Sequence, residues 1–364
     1  DGDIVELPSS EGVRQGDPLG PLLFSLGVRA TLERLAAHLG TGHALLAYLD
    51  DVYVLSTEAG VLDRVQEFLS EDSAPGPLIL NARKCSEHPF TTIAAEGMRV
   101  LGTCVGAASA RASFLASKVE GQLPALQRLA ELPGQEAWLL LRTSLQANLR
   151  HLQRSLRTDD LVAPWAALDE AILTQLLAMR SSPRRLPTDA GLASLPARLG
   201  GCGLLSHEEV APHARAAMAE SADLLIDRAL AHLEPVEEAH DEPAAPLSQR
   251  ARCAVAFEER REVLLAALPA SSRAAVLDNA SPIARRWLAT IPVGPTLRLT
   301  STEVAAGLHV HMLCPGQGEQ CSHCFLPNAF GHDDPCSAPP LWRLFGVSRG
   351  LPTSRSCSPS LSRV

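Results

Sequence analysis

The stretch "LAYLDDVYVL" (residues 46–55) sets two adjacent carboxylates, Asp50 and Asp51, in a run that is otherwise apolar or aromatic. Carboxylates among such neighbours are costly unless a cation or hydrogen bonds hold them there. β-Branched and aromatic residues flank the pair, which predicts two short strands with the aspartates at or near the turn. A hairpin tip of this kind reaches a substrate while its strands anchor it in a sheet. Hard divalent cations such as Mg²⁺ take carboxylate oxygens together with substrate phosphates. Two such ions clamp the attacking and leaving oxygens of phosphoryl transfer. Successive strand residues point to opposite faces, so one aspartate should be the main ligand, and a further carboxylate should come from another strand. Taken alone, the pair also reads as an Asp-rich surface turn.

Outward from the pair, "EGVRQGDPLGPLLFSLGVRATLERLAAHLG" (11–40) predicts a turn followed by a helix. Asp17 is placed to cap it, Pro18 suits the first helical position, and Gly40 suits the exit. Leu22, Leu26, Leu32 and Leu35 give a roughly helical apolar spacing. After the pair, a helix is expected over about 61–69, then a loop with Pro75, Gly76 and Pro77. "LNARKC" (80–85) and a second hairpin around "MRVLGTCVG" (98–106) follow. From about 116 to 232 the pattern is helical. The stretch "LEPVEEAHDEPAAPLSQ" (233–249) is acidic and Pro-rich, as a linker would be. Helices resume to about residue 289, and the Ser/Arg/Pro-rich end is expected to be disordered.

The chain of 364 residues is 46% hydrophobic, enough for one large core or two to three smaller ones. Its net charge of −9 argues against a positive coat over the whole surface but not against a local basic groove. Basicity is almost all arginine, the only lysines being Lys84 and Lys118. Arg150, Arg154 and Arg157 are spaced i, i+4 and i+7, so one helix face would carry all three. Such a row could track phosphates or simply be a solvated face. No apolar run is long enough to span a bilayer.

Four of the nine cysteines fall between Cys314 and Cys336, which suits an intracellular metal site better than a disulfide framework. Within "CSHCFLPNAFGHDDPC", Cys321, Cys324, His332 and Cys336 form a four-ligand set with a tight first pair, as tetrahedral Zn²⁺ prefers. His309, His311, Cys314 and His323 are spare donors, and reduced, unliganded cysteines remain the other reading.

Four of these segments together resemble reverse transcriptases of non-LTR retrotransposons. "GVRQGDPLGPLLFSL" resembles the turn and helix before the catalytic hairpin, "AYLDD" the metal-binding hairpin, "LNARKC" the next motif, and "RVLG" the hairpin that grips the primer. "LPARLGGCGLLSHEEVAPHARAAMAES" (195–221) resembles a Gly-rich segment found after the polymerase region. The resemblance implies an α+β fold. A partial right-hand palm (1–115) would precede a helical thumb or connection (116–232) and the acidic linker (233–250). A helical segment (251–300), a zinc knuckle (305–340) and the tail (341–364) would follow.

It further implies RNA-directed DNA polymerase activity, a nucleotidyl transfer with two Mg²⁺. Asp50 would be the metal ligand, Asp51 its support, and Lys84 the proton donor to the departing pyrophosphate. Arg14, Gln15 and Gly16 would lie against the incoming nucleotide and template, and Tyr48 near the primer end. Leu101 and Gly102 would belong to the primer grip, and Arg150, Arg154 and Arg157 to a thumb lying along the duplex. RNA template, DNA primer and deoxynucleoside triphosphates are the implied partners, with no membrane, and a nuclear location.

The family's polymerase site needs one more aspartate, on a strand well before Gln15, and "DGDIVEL" (1–7) does not resemble that strand. The expectation is therefore the C-terminal portion of such an enzyme. No Asp, Glu or Lys follows Asp334, so no metal-dependent nuclease is expected there. The competing readings are a catalytically inactive nucleic-acid-binding remnant and a zinc-dependent interaction protein.

Overall fold

The computed structural model describes residues 16–70, 81–157, 161–182, 184–231 and 247–315. Arg14, Gln15, the four expected zinc ligands, most of the acidic linker and the 341–364 tail lie outside them. The chain divides into two compact units, one ending at Gly102 and the other beginning at Thr103.

The first unit opens with α1 (Gly20–Leu39), then β1 (His43–Tyr48), β2 (Asp51–Ser56), α2 (Val61–Ser70), α3 (Phe90–Glu96) and β3 (Met98–Val100). Helix α1 starts later than the sequence suggested. Asp17 accepts the Leu19 amide at 2.9 Å in a turn upstream of the helix. Pro21, rather than Pro18, occupies the first turn of the helix. Gly40 ends it at φ 83°, as expected. The carbonyls left open there are bound by Arg64, which donates to the oxygens of His38 and Leu39 at 3.2 and 2.9 Å. Leu35 and Leu39 of α1 and Val61 and Val65 of α2 form a small core, against which Leu45 and Val54 of the hairpin pack. Those two strand residues are cross-strand partners. One hairpin face is therefore anchored, and the other is left open.

The second unit holds β4 (Thr103–Val105), α4 (Ala108–Glu120), α5 (Leu123–Gln127), α6 (Gly134–Thr143), α7 (Arg150–Ser155) and α8 (Val162–Met179). It continues with α9 (Asp189–Ser194), α10 (His207–Ala231), α11 (Gln249–Ala267), α12 (Ala270–Asn279) and α13 (Ser301–His311). Its core is large: Trp138, Leu141, Leu152, Trp165, Leu168 and Leu176 are all essentially sealed from solvent. Residues 281–300 are mostly irregular rather than helical, with short 3₁₀ turns at Arg286–Ala289 and Pro295–Leu297. Gln135 of α6 holds this stretch. Its amide nitrogen donates to Thr290 O and Leu297 O at 3.0 Å each, and its oxygen accepts the Leu299 amide at 2.8 Å. Trp138 Nε1 donates to Leu288 O at 2.8 Å. A Thr300–Glu303 capping box then starts α13.

Two polar devices lock the helices of this unit. Arg180, at the end of α8, makes a fully buried ion pair with Asp189 of α9, and Asp189 also accepts the Leu186 amide at 2.7 Å. Asp169 of α8 accepts the His207 and Glu208 amides at 2.8 and 3.1 Å and the Ser206 hydroxyl at 2.6 Å. The open N–H groups at the start of α10 are thus satisfied by a neighbouring helix. Among the described residues, no helix is long and apolar enough to cross a membrane.

Candidate active-site hairpin

Strands β1 and β2 pair antiparallel, with Tyr48 opposite Asp51 and Leu46 opposite Tyr53. The connection is the two-residue turn Leu49–Asp50. Leu49 takes φ 54°, while Asp50 does not enter the positive-φ region. Positive φ at the first central residue is shared by the primed hairpin turns, which suit strand twist. The structure thus places Asp50 in the turn and Asp51 at the first position of β2, and both are exposed. Paired residues share a face, and so do residues two apart on a strand. Leu46, Tyr48, Asp51 and Tyr53 therefore lie on the open face, opposite the one that packs on the helices.

Exposure keeps the carboxylates hydrated, and two hard oxygen donors on one tip suit Mg²⁺, which retains waters and phosphate oxygens for its remaining positions. Among the described residues, no group of three or more His, Cys, Asp or Glu is placed to hold a metal ion. The Asp50–Asp51 pair therefore gains no third carboxylate within the described chain.

The turn at Leu101 and Gly102 follows β3. Both residues take positive φ, 47° and 77°, the pattern of a type I′ turn. Tyr53, two residues beyond Asp51, accepts the Leu101 amide through its phenolic oxygen at 3.3 Å. The structure thereby brings Leu101 to the hairpin face that carries Asp51 and Tyr48. Tyr53 escaped the reading of the sequence, although its period-two spacing from Asp51 is a usable signal.

Gly16 sits at φ 91° in an exposed turn ahead of α1. Lys84 is exposed at the end of the 3₁₀ turn Ala82–Lys84. A groove of about 370 Å³ between α1 and β1 is lined by Val28, Leu32, Leu45, Ala47 and Leu49 among others. Leu45 and Ala47 belong to the hairpin face opposite Asp51, so this groove is not the site of the carboxylates.

The arginine row needs one correction. Helix α7 ends at Ser155, and Leu156 is extended (φ −81°, ψ 137°), so Arg157 lies beyond the helix rather than on its face. Arg150, Arg154 and Arg157 are all exposed. Arg154 Nε donates to Gln249 Oε1 at 2.9 Å. Three of the spare donors of the cysteine cluster, His309, His311 and Cys314, are engaged in the fold, and His323 lies outside the described residues. His311 is buried with Nε2 3.0 Å from Gly201 O, His309 Nε2 is 3.0 Å from Pro315 O, and Cys314 is buried. Burial pushes the His311 pKa down, against the Gly201 hydrogen bond, and pushes the Cys314 thiol up to about 11. Both stay neutral near pH 7.

Residues 2–105 match the family described as reverse transcriptase (RNA-dependent DNA polymerase). The chain is also 30% identical, over 223 residues, to the retrotransposable element SLACS 132 kDa protein of Trypanosoma brucei gambiense. That similarity covers 57% of this chain but only 18% of the relative. No solved structure matches the chain. A 223-residue similarity is longer than the first unit, so it includes part of the second. The hairpin bearing Asp50 and Asp51 thus lies in reverse-transcriptase-like sequence, within a chain whose similarity to a retrotransposon protein extends into the helical unit.

Proposed function

We propose that this chain is part of an RNA-directed DNA polymerase of a non-LTR retrotransposon. The carrying observation is the position of Asp50 and Asp51 at the tip of an open-faced hairpin inside the segment that matches reverse transcriptase. On this reading the first unit is part of the palm and the helical unit a thumb or connection. Asp50 and Asp51 would hold Mg²⁺, which would supply charge neutralisation for nucleotidyl transfer. Tyr48 would flank the primer end and Lys84 would give a proton to pyrophosphate, while Arg14, Gln15 and Gly16 would face nucleotide and template. Leu101 and Gly102 would hold the primer. Arg150, Arg154 and Arg157 would contact duplex phosphates, a salt-sensitive attraction.

Spacing supports one Zn²⁺ on Cys321, Cys324, His332 and Cys336, forming a knuckle after the polymerase region. Copying an element into a genome places the protein in the nucleus. The test is Mg²⁺-dependent primer extension on an RNA template by the chain joined in frame to an upstream polymerase region. Asp50→Asn should lower its rate roughly a thousandfold. An undiminished rate in Asp50→Asn would sink the reading. For the knuckle, Cys321→Ser should lower the zinc content of purified protein. Full retention would remove these ligands from consideration.

Among the described residues no third donor stands beside the pair, and a nucleic-acid-binding remnant without catalysis is the second reading. Retained binding of an RNA–DNA hybrid, with no extension in the fused form, would select it.

A further inference from the structure

We propose that Tyr53 is a positioning residue that couples the aspartate hairpin to the turn at Leu101 and Gly102. This rests on the reading of that hairpin as the metal-binding tip of a polymerase. Tyr53 pairs across the hairpin with Leu46, and Tyr48 pairs with Asp51, so Tyr53 and Asp51 share a face. They are two strand residues apart, ~7 Å along β2. The phenolic oxygen accepts the Leu101 N–H at 3.3 Å.

That N–H has no partner inside its own turn. In a type I′ turn the internal hydrogen bond joins the flanking residues, so the N–H of the first central residue is left over. Leu101 is that residue, and its φ of 47° is a conformation L-residues rarely hold without support from their surroundings. Tyr53 provides this support from a half-buried position on the strand that begins with Asp51. Leu101 remains 48% exposed and is free to face a ligand. The phenol thus works as a strut. It sets the separation between the carboxylates and a turn whose exposed edge would rest against the nucleic acid strand. The substitution Tyr53→Phe keeps the ring and its strand preference but removes the acceptor.

Two measurements test this, the first on the full 364-residue chain and the second on that chain joined in frame to an upstream polymerase region. The first is hydrogen exchange at the Leu101 amide in ¹⁵N-leucine-labelled protein. Tyr53→Phe should speed that exchange about fivefold, the worth of one ordinary hydrogen bond, with the Leu45 and Leu46 amides unchanged. The second replaces Mg²⁺ by Fe²⁺, with ascorbate and peroxide, on saturating RNA template and annealed DNA primer. Radicals formed at the carboxylates cut the primer near them, so the cut position reads how the primer end is held.

The expected result is a sharp cut near the primer end with the otherwise unmodified fused form, no cut with Asp50→Asn, and a displaced or broadened cut with Tyr53→Phe. A merely structural tyrosine would change the yield of cutting but not its position. An identical cut pattern in Tyr53→Phe, with Asp50 dependence intact, overturns the proposal alone. No Asp50-dependent cut in the otherwise unmodified fused form overturns the polymerase reading and the proposal with it. Unchanged Leu101 exchange overturns the strut whatever the cutting shows.

Discussion

Asp169 shows how one side chain can serve two elements. Burial raises its pKa, but hydrogen bonds and charge from His207, with the Ser206 hydroxyl, outweigh that and hold it below the ordinary carboxylate value. Its Oδ1 lies 2.7 Å from His207 Nδ1, and His207 Nε2 lies 2.8 Å from Gln146 O. Each ring nitrogen thus faces an acceptor, and Trp165 stacks on the ring at 5.6 Å. The folded pKa of Asp169 is depressed, so its contribution is present above the unfolded value of about 4 and is lost as pH falls through the folded value. Asp169→Asn should cost about 2 kcal/mol at neutral pH, through the weakened cap and the lost acceptor for the Ser206 hydroxyl and the His207 side chain. The difference from the unmodified chain should shrink in acid. Urea titrations at pH 7 and pH 3.5 would check both statements, and a pH-independent difference would contradict them. For the hairpin pair, Asp50→Asn in the fused, extending form should cost roughly a thousandfold in rate, and Asp51→Asn clearly less. Steady-state primer extension decides, and an equal loss would make Asp50 no more than an equal partner.

At the scale of elements, the Gly-rich segment after α9 is packed backbone against backbone. Cys202, Gly203 and Leu204 donate their amides to Leu192, Leu195 and Ala193 carbonyls at 2.8–2.9 Å. A Cβ on Gly201 would lie 2.2 Å from Leu195 O, and one on Gly200 would lie 2.2 Å from Val276 O of α12. Gly200 also takes φ 99°, which side chains resist. Both obstacles are backbone atoms and cannot rotate away. Gly201→Ala should therefore destabilise the helical unit by about 2–3 kcal/mol. The readout is a lower urea midpoint with an unchanged slope, and an unshifted midpoint would mean that the segment moves aside freely. The segment thus has a packing role, whatever its place in a family.

Over the whole molecule, the two units differ in how well they are built. The first has a core cluster of only four buried aliphatics, Leu35, Leu39, Val61 and Val65. One face of its hairpin is open, and a two-stranded hairpin is marginal without a covered face. The second buries two tryptophans and a large leucine core, tied across the chain by Gln135 and Trp138. The prediction is graded opening: in hydrogen exchange on the full chain, amides of β1, β2 and α2 should exchange well before those of α6 and α8. Equal protection would show that the first unit has cover the described residues do not supply. Likewise, with no third donor beside Asp50 and Asp51 among the described residues, the 364-residue chain by itself is not expected to extend a primer. Mg²⁺-dependent incorporation by purified protein would overturn that.

The hairpin, its aspartate tip, the helix after it and the helical character of the second half were all legible from local patterns. Alternation, turn chemistry and helical spacing are short-range properties that neighbouring residues settle among themselves. The four ordered motifs were legible too, because they lie within about a hundred consecutive residues. The start of α1 was misplaced because two prolines compete there, and only one fits the helix's first turn. Arg157 was misplaced because the extended Leu156, with its side chain buried, ends the helix. Contacts between distant residues were not legible at all. Tyr53 meets Leu101 across 48 positions, Asp169 meets His207 across 38, and Gln135 meets Leu299 across 164. None of these pairs is marked by spacing or composition. Each exists only because packing brings together groups whose hydrogen bonds must be met once water has been excluded.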